Sequence, residues 1–291
     1  MDKPKMSFEE FSSLYAYKKE NGSYTISYVR VSKKEMIIPS FVVHPDYQEP
    51  IPVRTISGFN LSQNDIVESV IVSEGIRFIE TGAFKNCVNL KNIELPKKSL
   101  VSIGIAVFTN TAYYNNESNW EITSDYKALY VGNVLIEVRS NEDLFTICVK
   151  KNTRVISSSA FIPVRKNLYS VTLPTSVEII DDYAFDGCHS LVSIINSSSI
   201  KRIGTEAFAN TGLWEIDFLD NVKTIGTRAF SNCKAKGLYF EDKICSVNEA
   251  NEPFKDTNIN TIFFGAEKWS IPDEDFLYDL IDEKYEEQNN V

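Results

Sequence analysis

Histidine is nearly missing from this chain: 291 residues hold two, His44 and His189. Neither stands at a metal-ligand spacing from another His or Cys, so no metal site is expected. No Gly-rich phosphate loop and no Gly-x-Ser-x-Gly elbow occurs, and no cofactor is expected. No apolar run approaches the roughly 18 residues that a membrane-spanning helix needs. The opening Met1-Asp2-Lys3-Pro4-Lys5-Met6 has no apolar stretch behind its charges, so it does not read as a signal peptide. An excess of base is lacking too: 30 Lys and Arg face 40 Asp and Glu, for a net charge of −10. Nine acids and two bases fall within residues 267–291, leaving the rest of the chain close to neutral. Neither part suits a polyanion, and nucleic acid is not an expected partner.

Cysteine is scarce and odd in number, at five. Cys87, Cys188 and Cys233 each follow a phenylalanine by three residues, at what reads as a packing position. They are expected to be small buried hydrophobes and not a disulfide framework. Cys148, between Ile147 and Val149, is expected to point away from the core.

What the chain has is repetition. An aliphatic residue or pair, a stretch of small residues and then Ala-Phe or a near match recur six times, ending at Phe84, Phe108, Phe161, Phe185, Phe208 and Phe230. A looser copy ends at Pro253-Phe254. The intervals between these phenylalanines are 24, 53, 24, 23, 22 and 24 residues. A fixed period of this size marks a solenoid. The 53 is two periods and a few residues, or one period with an insertion.

One unit shows the physics. Val171 and Leu173 alternate with polar residues, as in a short strand with one buried face. Pro174 has no N–H and ends the ladder. Val177 and Ile180 return to the interior, Phe185 fills the coil centre, Cys188 plugs a gap beside it, and Leu191 leads to the next strand at Ile194. Val70 and Val72, Ile147 and Val149, and Ile216 and Phe218 hold the same places ahead of Phe84, Phe161 and Phe230. A single unit cannot bury its apolar edge, so the units must stack and the ends must be capped.

Ile93-Glu94-Leu95-Pro96, Ile203-Gly204-Thr205-Glu206-Ala207-Phe208 and Phe84-Lys85-Asn86-Cys87-Val88-Asn89-Leu90 together resemble the repeat of the BspA-like leucine-rich repeat family, over roughly residues 53–264. Gly22 to Ile26, followed by Ile37-Ile38-Pro39-Ser40, resembles the family's opening unit. The resemblance implies a β-dominant α/β repeat solenoid: a right-handed leucine-rich repeat superhelix with a parallel concave sheet, an N-terminal β cap and a C-terminal helical cap. It also implies a bacterial protein, at the cell surface or secreted, that binds host proteins or other cells. The missing export signal leaves the cytoplasm open.

Residues 1–65 are expected to form the N-terminal cap and a divergent first repeat. Residues 66–266 are expected to form the repeats, with an insertion at 111–145, and residues 267–291 an acidic cap, all as one continuous domain. Ser7-x-x-Glu10 has the spacing of a capping box for a short helix carrying Phe11 and Leu14. Gly132-Asn133 between two apolar runs predicts a hairpin within the insertion, which is either a decorated coil or a protruding recognition element. A helix is predicted over 272–287, with Phe276, Leu277, Leu280 and Ile281 on its buried face.

Function then falls to the outward face of the strands. One outward column runs Ile71, Glu94, Cys148, Thr172, Ile195, Asp217, Tyr239 and Phe263. A second runs Ser69, Asn92, Thr146, Ser170, Ser193, Glu215 and Thr261. Exposed aromatics make binding anchors, so Ile195, Tyr239 and Phe263 with Glu215 and Asp217 beside them are the candidate partner-binding residues. The expected function is non-enzymatic capture of a protein partner by a monomer. A carbohydrate-binding or carbohydrate-processing surface is the alternative, because Glu215 and Asp217 share a strand face at about the separation of a glycosidase pair. A structural or assembly role is the third reading.

Overall fold

The computed structural model describes residues 5–30, 33–58, 64–241 and 243–289. By packing, the chain divides into two compact units, Met1–Glu121 with Leu129–Gly132, and Ile122–Ala128 with Asn133–Val291. Each unit is built of stacked coils whose short strands pair in parallel, the β-dominant solenoid expected from the repeats.

In the first unit, helix Phe8–Leu14 starts at Ser7, whose hydroxyl accepts the Glu10 N–H at 3.2 Å, and buries Phe11 and Leu14. The chain then forms an antiparallel pair, Tyr15–Glu20 with Ser23–Val29. The first of these strands is not foreseen in the sequence. Beyond it, Glu35–Ile38, Ser69–Val72 and Asn92–Glu94 form one parallel ladder. Thr55–Ile56, Phe78–Ile79 and Ser102–Ile103 line up in a second.

In the second unit, residues 134–135, 155–156, 179–180, 202–203 and 224–225 form a ladder five coils long. Phe145–Cys148, Leu168–Thr172 and Ser193–Ile195 make another. A third joins Glu215–Ile216, Gly237–Phe240 and Thr261–Phe264 in parallel, and Glu267–Ser270 closes it antiparallel. In the inserted segment Lys127–Val131 and Val134–Arg139 flank Gly132-Asn133, and Val134 and Leu135 pair with Val155 and Ile156.

The phenylalanines form the spine. Phe84 stacks on Phe108 at 5.7 Å. Phe161, Phe185, Phe208, Phe230 and Phe254 stack in sequence at 4.5 to 5.6 Å. All seven rings are 0 or 1% exposed. Backbone bonds reinforce the stack. The N–H of Phe185 donates to Ala207, that of Phe208 to Ala229, and that of Phe230 to Pro253 of the following coil. At these three rings the N–H two residues before and the one two residues after point the same way, as in Tyr183 to Thr205 and Gly187 to Ala209. To aim those donors the backbone turns left-handed twice per coil, at Tyr183, Glu206 and Arg228 and again at Asn210 and Asn232, with φ from 49° to 57°. Asparagine tolerates that region well. The asparagines also join sideways, Asn232 Nδ2 donating to Asn210 Oδ1 at 2.8 Å.

Coils approach closely. A Cβ on Gly226 would lie 2.4 Å from the Thr205 nitrogen, which is why glycine follows isoleucine there. Glu74 binds its coil to the next through its carboxylate, which accepts the N–H groups of Lys97 and Lys98 at 2.6 and 3.1 Å on one oxygen and that of Ser99 at 3.2 Å on the other. The five cysteines are free thiols; Cys148 is exposed and the other four are buried.

The C-terminal helix runs Glu274–Asn289, two residues later than expected, and buries Leu277, Tyr278, Leu280 and Ile281. Phe276 is 39% exposed, contrary to expectation, and Tyr278 takes the inward place. The rotation follows from the spine: the Tyr278 ring packs against Phe254.

Candidate functional site: the groove on the last sheet

The sheet that ends the second unit alternates strictly. Leu238, Phe240 and Ile262 face the core and are at most 2% exposed, which turns Tyr239 and Phe263 outward. The two residues are direct partners in the parallel ladder. Their rings stack with centroids 4.4 Å apart and planes within 5°. Both are half-buried. Lys268, opposite Phe263 on the antiparallel strand, holds its ammonium 5.6 Å from the Phe263 centroid.

Glycine sets the direction of Tyr239. Gly237 lies two residues earlier on the same face, and a Cβ there would meet Tyr239 Cε2 at 2.7 Å. The ring therefore lies back over a bare backbone. From that position its hydroxyl donates to Glu215 Oε1 at 3.1 Å. The phenol ionises above its ordinary value, first because it is desolvated and then because it donates to the Glu215 carboxylate.

Around the pair is a groove of about 520 Å³, within the range of ligand sites. Trp214 forms part of its wall and is 69% exposed. Lys234, Lys236 and Lys268 also line it, and Glu215 is the one acid among its described lining residues.

Of the expected site residues, Glu215, Tyr239 and Phe263 come together here. Asp217 is exposed and follows strand Glu215–Ile216 but does not line the groove. Its carboxyl sits above the ordinary range, chiefly through desolvation, with the negative field of Glu215, Glu241 and Asp220 adding to the shift. Ile195 is 46% exposed, paired with Thr172 on the neighbouring sheet, and takes no part in the groove. The two columns keep their predicted registers where these strands pair, Cys148, Thr172 and Ile195 in one and Thr146, Ser170 and Ser193 in the other, but Ser170, expected to face outward, is buried. Trp214, Gly237 and the three lysines were not anticipated. The signal for Gly237 was present, since a glycine inside a strand marks a close approach.

Among the described residues no three His, Cys, Asp or Glu side chains gather in a way that could hold a metal ion. No described helix is long and apolar enough to cross a membrane.

The family model described as BspA type leucine rich repeat region matches six copies, over residues 54–163 and 154–280. No curated protein matches the chain in sequence. Among solved structures, a leucine rich cell surface protein from Faecalibacterium prausnitzii is similar at 16% identity and a TM-score of 0.44, over 87% of this chain and 94% of that one. The pneumococcal vaccine antigen PcpA is similar at 15% identity and a TM-score of 0.42, over 92% and 94%. A leucine rich repeat protein of T. pallidum is similar at 20% identity and a TM-score of 0.37, over 68% and 87%.

Proposed function

Since the chain belongs to the BspA-type leucine-rich repeat family, we propose that it is a non-enzymatic scaffold that captures a protein partner on the outer face of its last sheet, in adhesion or contact between cells. The observation that carries this reading is the stacked, half-exposed pair Tyr239 and Phe263 set in a groove. The surface around such an anchor has to supply its share of the roughly 1,200–2,000 Å² buried in a stable complex. Stacked parallel strands can do this without any rearrangement of the backbone.

The test compares the full chain with its Tyr239→Ala/Phe263→Ala variant. Each is immobilised and exposed to proteins from the native cell and its surroundings. The variant is expected to lose a discrete set of captured proteins while its melting temperature stays close to that of the parent. An identical captured set refutes the reading. A large fall in melting temperature assigns the two rings to the core.

A carbohydrate reading has one observation in its favour, the exposed Trp214 indole beside the Glu215 carboxylate. An array of neutral and acidic oligosaccharides tests it. Sugar released by the parent chain but not by Glu215→Gln would make the protein a hydrolase.

A further inference from the structure

We propose that the groove takes an acidic, extended peptide segment of the partner, with its carboxylates on Lys234, Lys236 and Lys268 and an apolar side chain against Tyr239 and Phe263. The inference rests on the protein-binding reading above and names the chemistry of what binds.

Charge is the first argument. The chain as a whole carries −10, yet the groove is lined by three lysines and one glutamate. Some lysines elsewhere are neutralised within the fold: Lys34 and Lys91 both reach Glu68 at 2.7 Å, Lys255 reaches Glu252 at 2.7 Å, and Lys201 pairs with Glu178. Among the described residues, Lys234, Lys236 and Lys268 have no such carboxylate. Three lysines line one depression, and Glu215 is the one described acid that lines it with them. The Glu215 carboxylate is already engaged by the Tyr239 hydroxyl. Glu215 repels a carboxylate, so the occupant's carboxylates belong on the lysines. The screening length at physiological ionic strength is about 8 Å, so charges that line the groove act on its occupant more strongly than charges farther off.

Ring geometry is the second argument. Tyr239 and Phe263 spend a face on each other, and Lys268 stands over Phe263. A sugar ring laid flat needs a free aromatic face, and here one face of each ring is taken by the other. Aromatic edges carry the positive end of the ring quadrupole. They suit an aliphatic or aromatic side chain flanked by carboxylates better than a pyranose.

The probe is a fluorescein-labelled synthetic peptide of alternating Glu and Tyr, with a twin in which every Glu is Gln, titrated by polarisation into the full chain. The acidic peptide is expected to bind at least about tenfold more tightly than its twin, and salt is expected to weaken it. The triple variant Lys234→Gln/Lys236→Gln/Lys268→Gln should lose that preference. A control with the same charge change away from the groove, Lys151→Gln/Lys166→Gln/Lys223→Gln, should keep it. Failure of the parent chain to bind either peptide overturns the proposal. So does tighter binding of an alginate oligosaccharide than of the acidic peptide, or equal loss of preference in the control. Equal binding of both peptides, abolished by Tyr239→Ala/Phe263→Ala, overturns the acidic requirement while protein docking at the groove stands. The capture experiment above decides that docking separately.

Discussion

Tyr278 completes a series that Phe254 leaves open. It lies 24 residues beyond Phe254, its ring centroid is 6.2 Å from that of Phe254, and its hydroxyl accepts the Phe254 N–H at 3.1 Å. In the preceding coils the same N–H goes to a carbonyl of the next coil. Among the described residues no coil of that kind follows Phe254, and the cap helix supplies an oxygen from a side chain instead. The hydroxyl in turn donates to Glu274 Oε1 at 3.1 Å. Its ionisation lies well above the ordinary tyrosine value, first because it is buried.

Replacing Tyr278 by Phe keeps the ring and deletes the oxygen. The buried Phe254 N–H is then left without an acceptor, a loss on the order of 1–3 kcal/mol. Urea denaturation should show that loss as a lower midpoint with an unchanged slope. An unchanged midpoint would mean that the hydroxyl is dispensable.

Glu74 makes stability depend on acid. Burial works against its ionised form, but the N–H groups of Lys97, Ser99 and Lys98 outweigh this and hold its carboxyl below the ordinary 4.5. A carboxyl depressed in the fold contributes stability above its unfolded value, and that contribution fades as pH falls through the folded value. Glu74→Gln should therefore lower the melting temperature at neutral pH. The gap to the parent should narrow as pH drops below about 4.5. A gap that stays constant over that range would refute the assignment.

The thiols should divide by exposure. Burial pushes Cys87 and Cys233 up to about 11 and Cys245 up to about 12, and raises Cys188 as well. Only the thiolate reacts readily. Iodoacetamide should label Cys148 in the native chain, and the other four only after unfolding. Mass spectrometry of native-labelled protein checks this, and early labelling of Cys188 would contradict the packing described for the spine.

The spine and the registers could be read from sequence because they repeat. A phenylalanine every 22 to 24 residues and an aliphatic alternation of period two fix which side chains share a column. The groove could not be read this way. Its floor is a repeat feature, but Trp214, Lys234 and Lys236 precede their strands, where the repeat imposes no apolar pattern. Lys268 comes from an antiparallel strand outside the repeat altogether. Asp217 and Ile195 share the predicted column, but the ladder of hydrogen bonds breaks between Ile195 and Glu215, and the period does not record that break. Tyr278 held the 24-residue interval from Phe254 in plain view. Helical periodicity in the tail points instead to Phe276, which is exposed.

The one-way donation of N–H groups along the spine constrains how the protein can change in length. From Phe161 to Phe230 each coil offers its ring residue's N–H forward to a carbonyl of the next, so a whole period removed or duplicated within that run leaves faces that match. The final coil has no such freedom, because its forward donor is matched by the cap helix alone. Growth and shrinkage of this architecture therefore belong to its middle, and the closing helix must travel with whichever coil stands last.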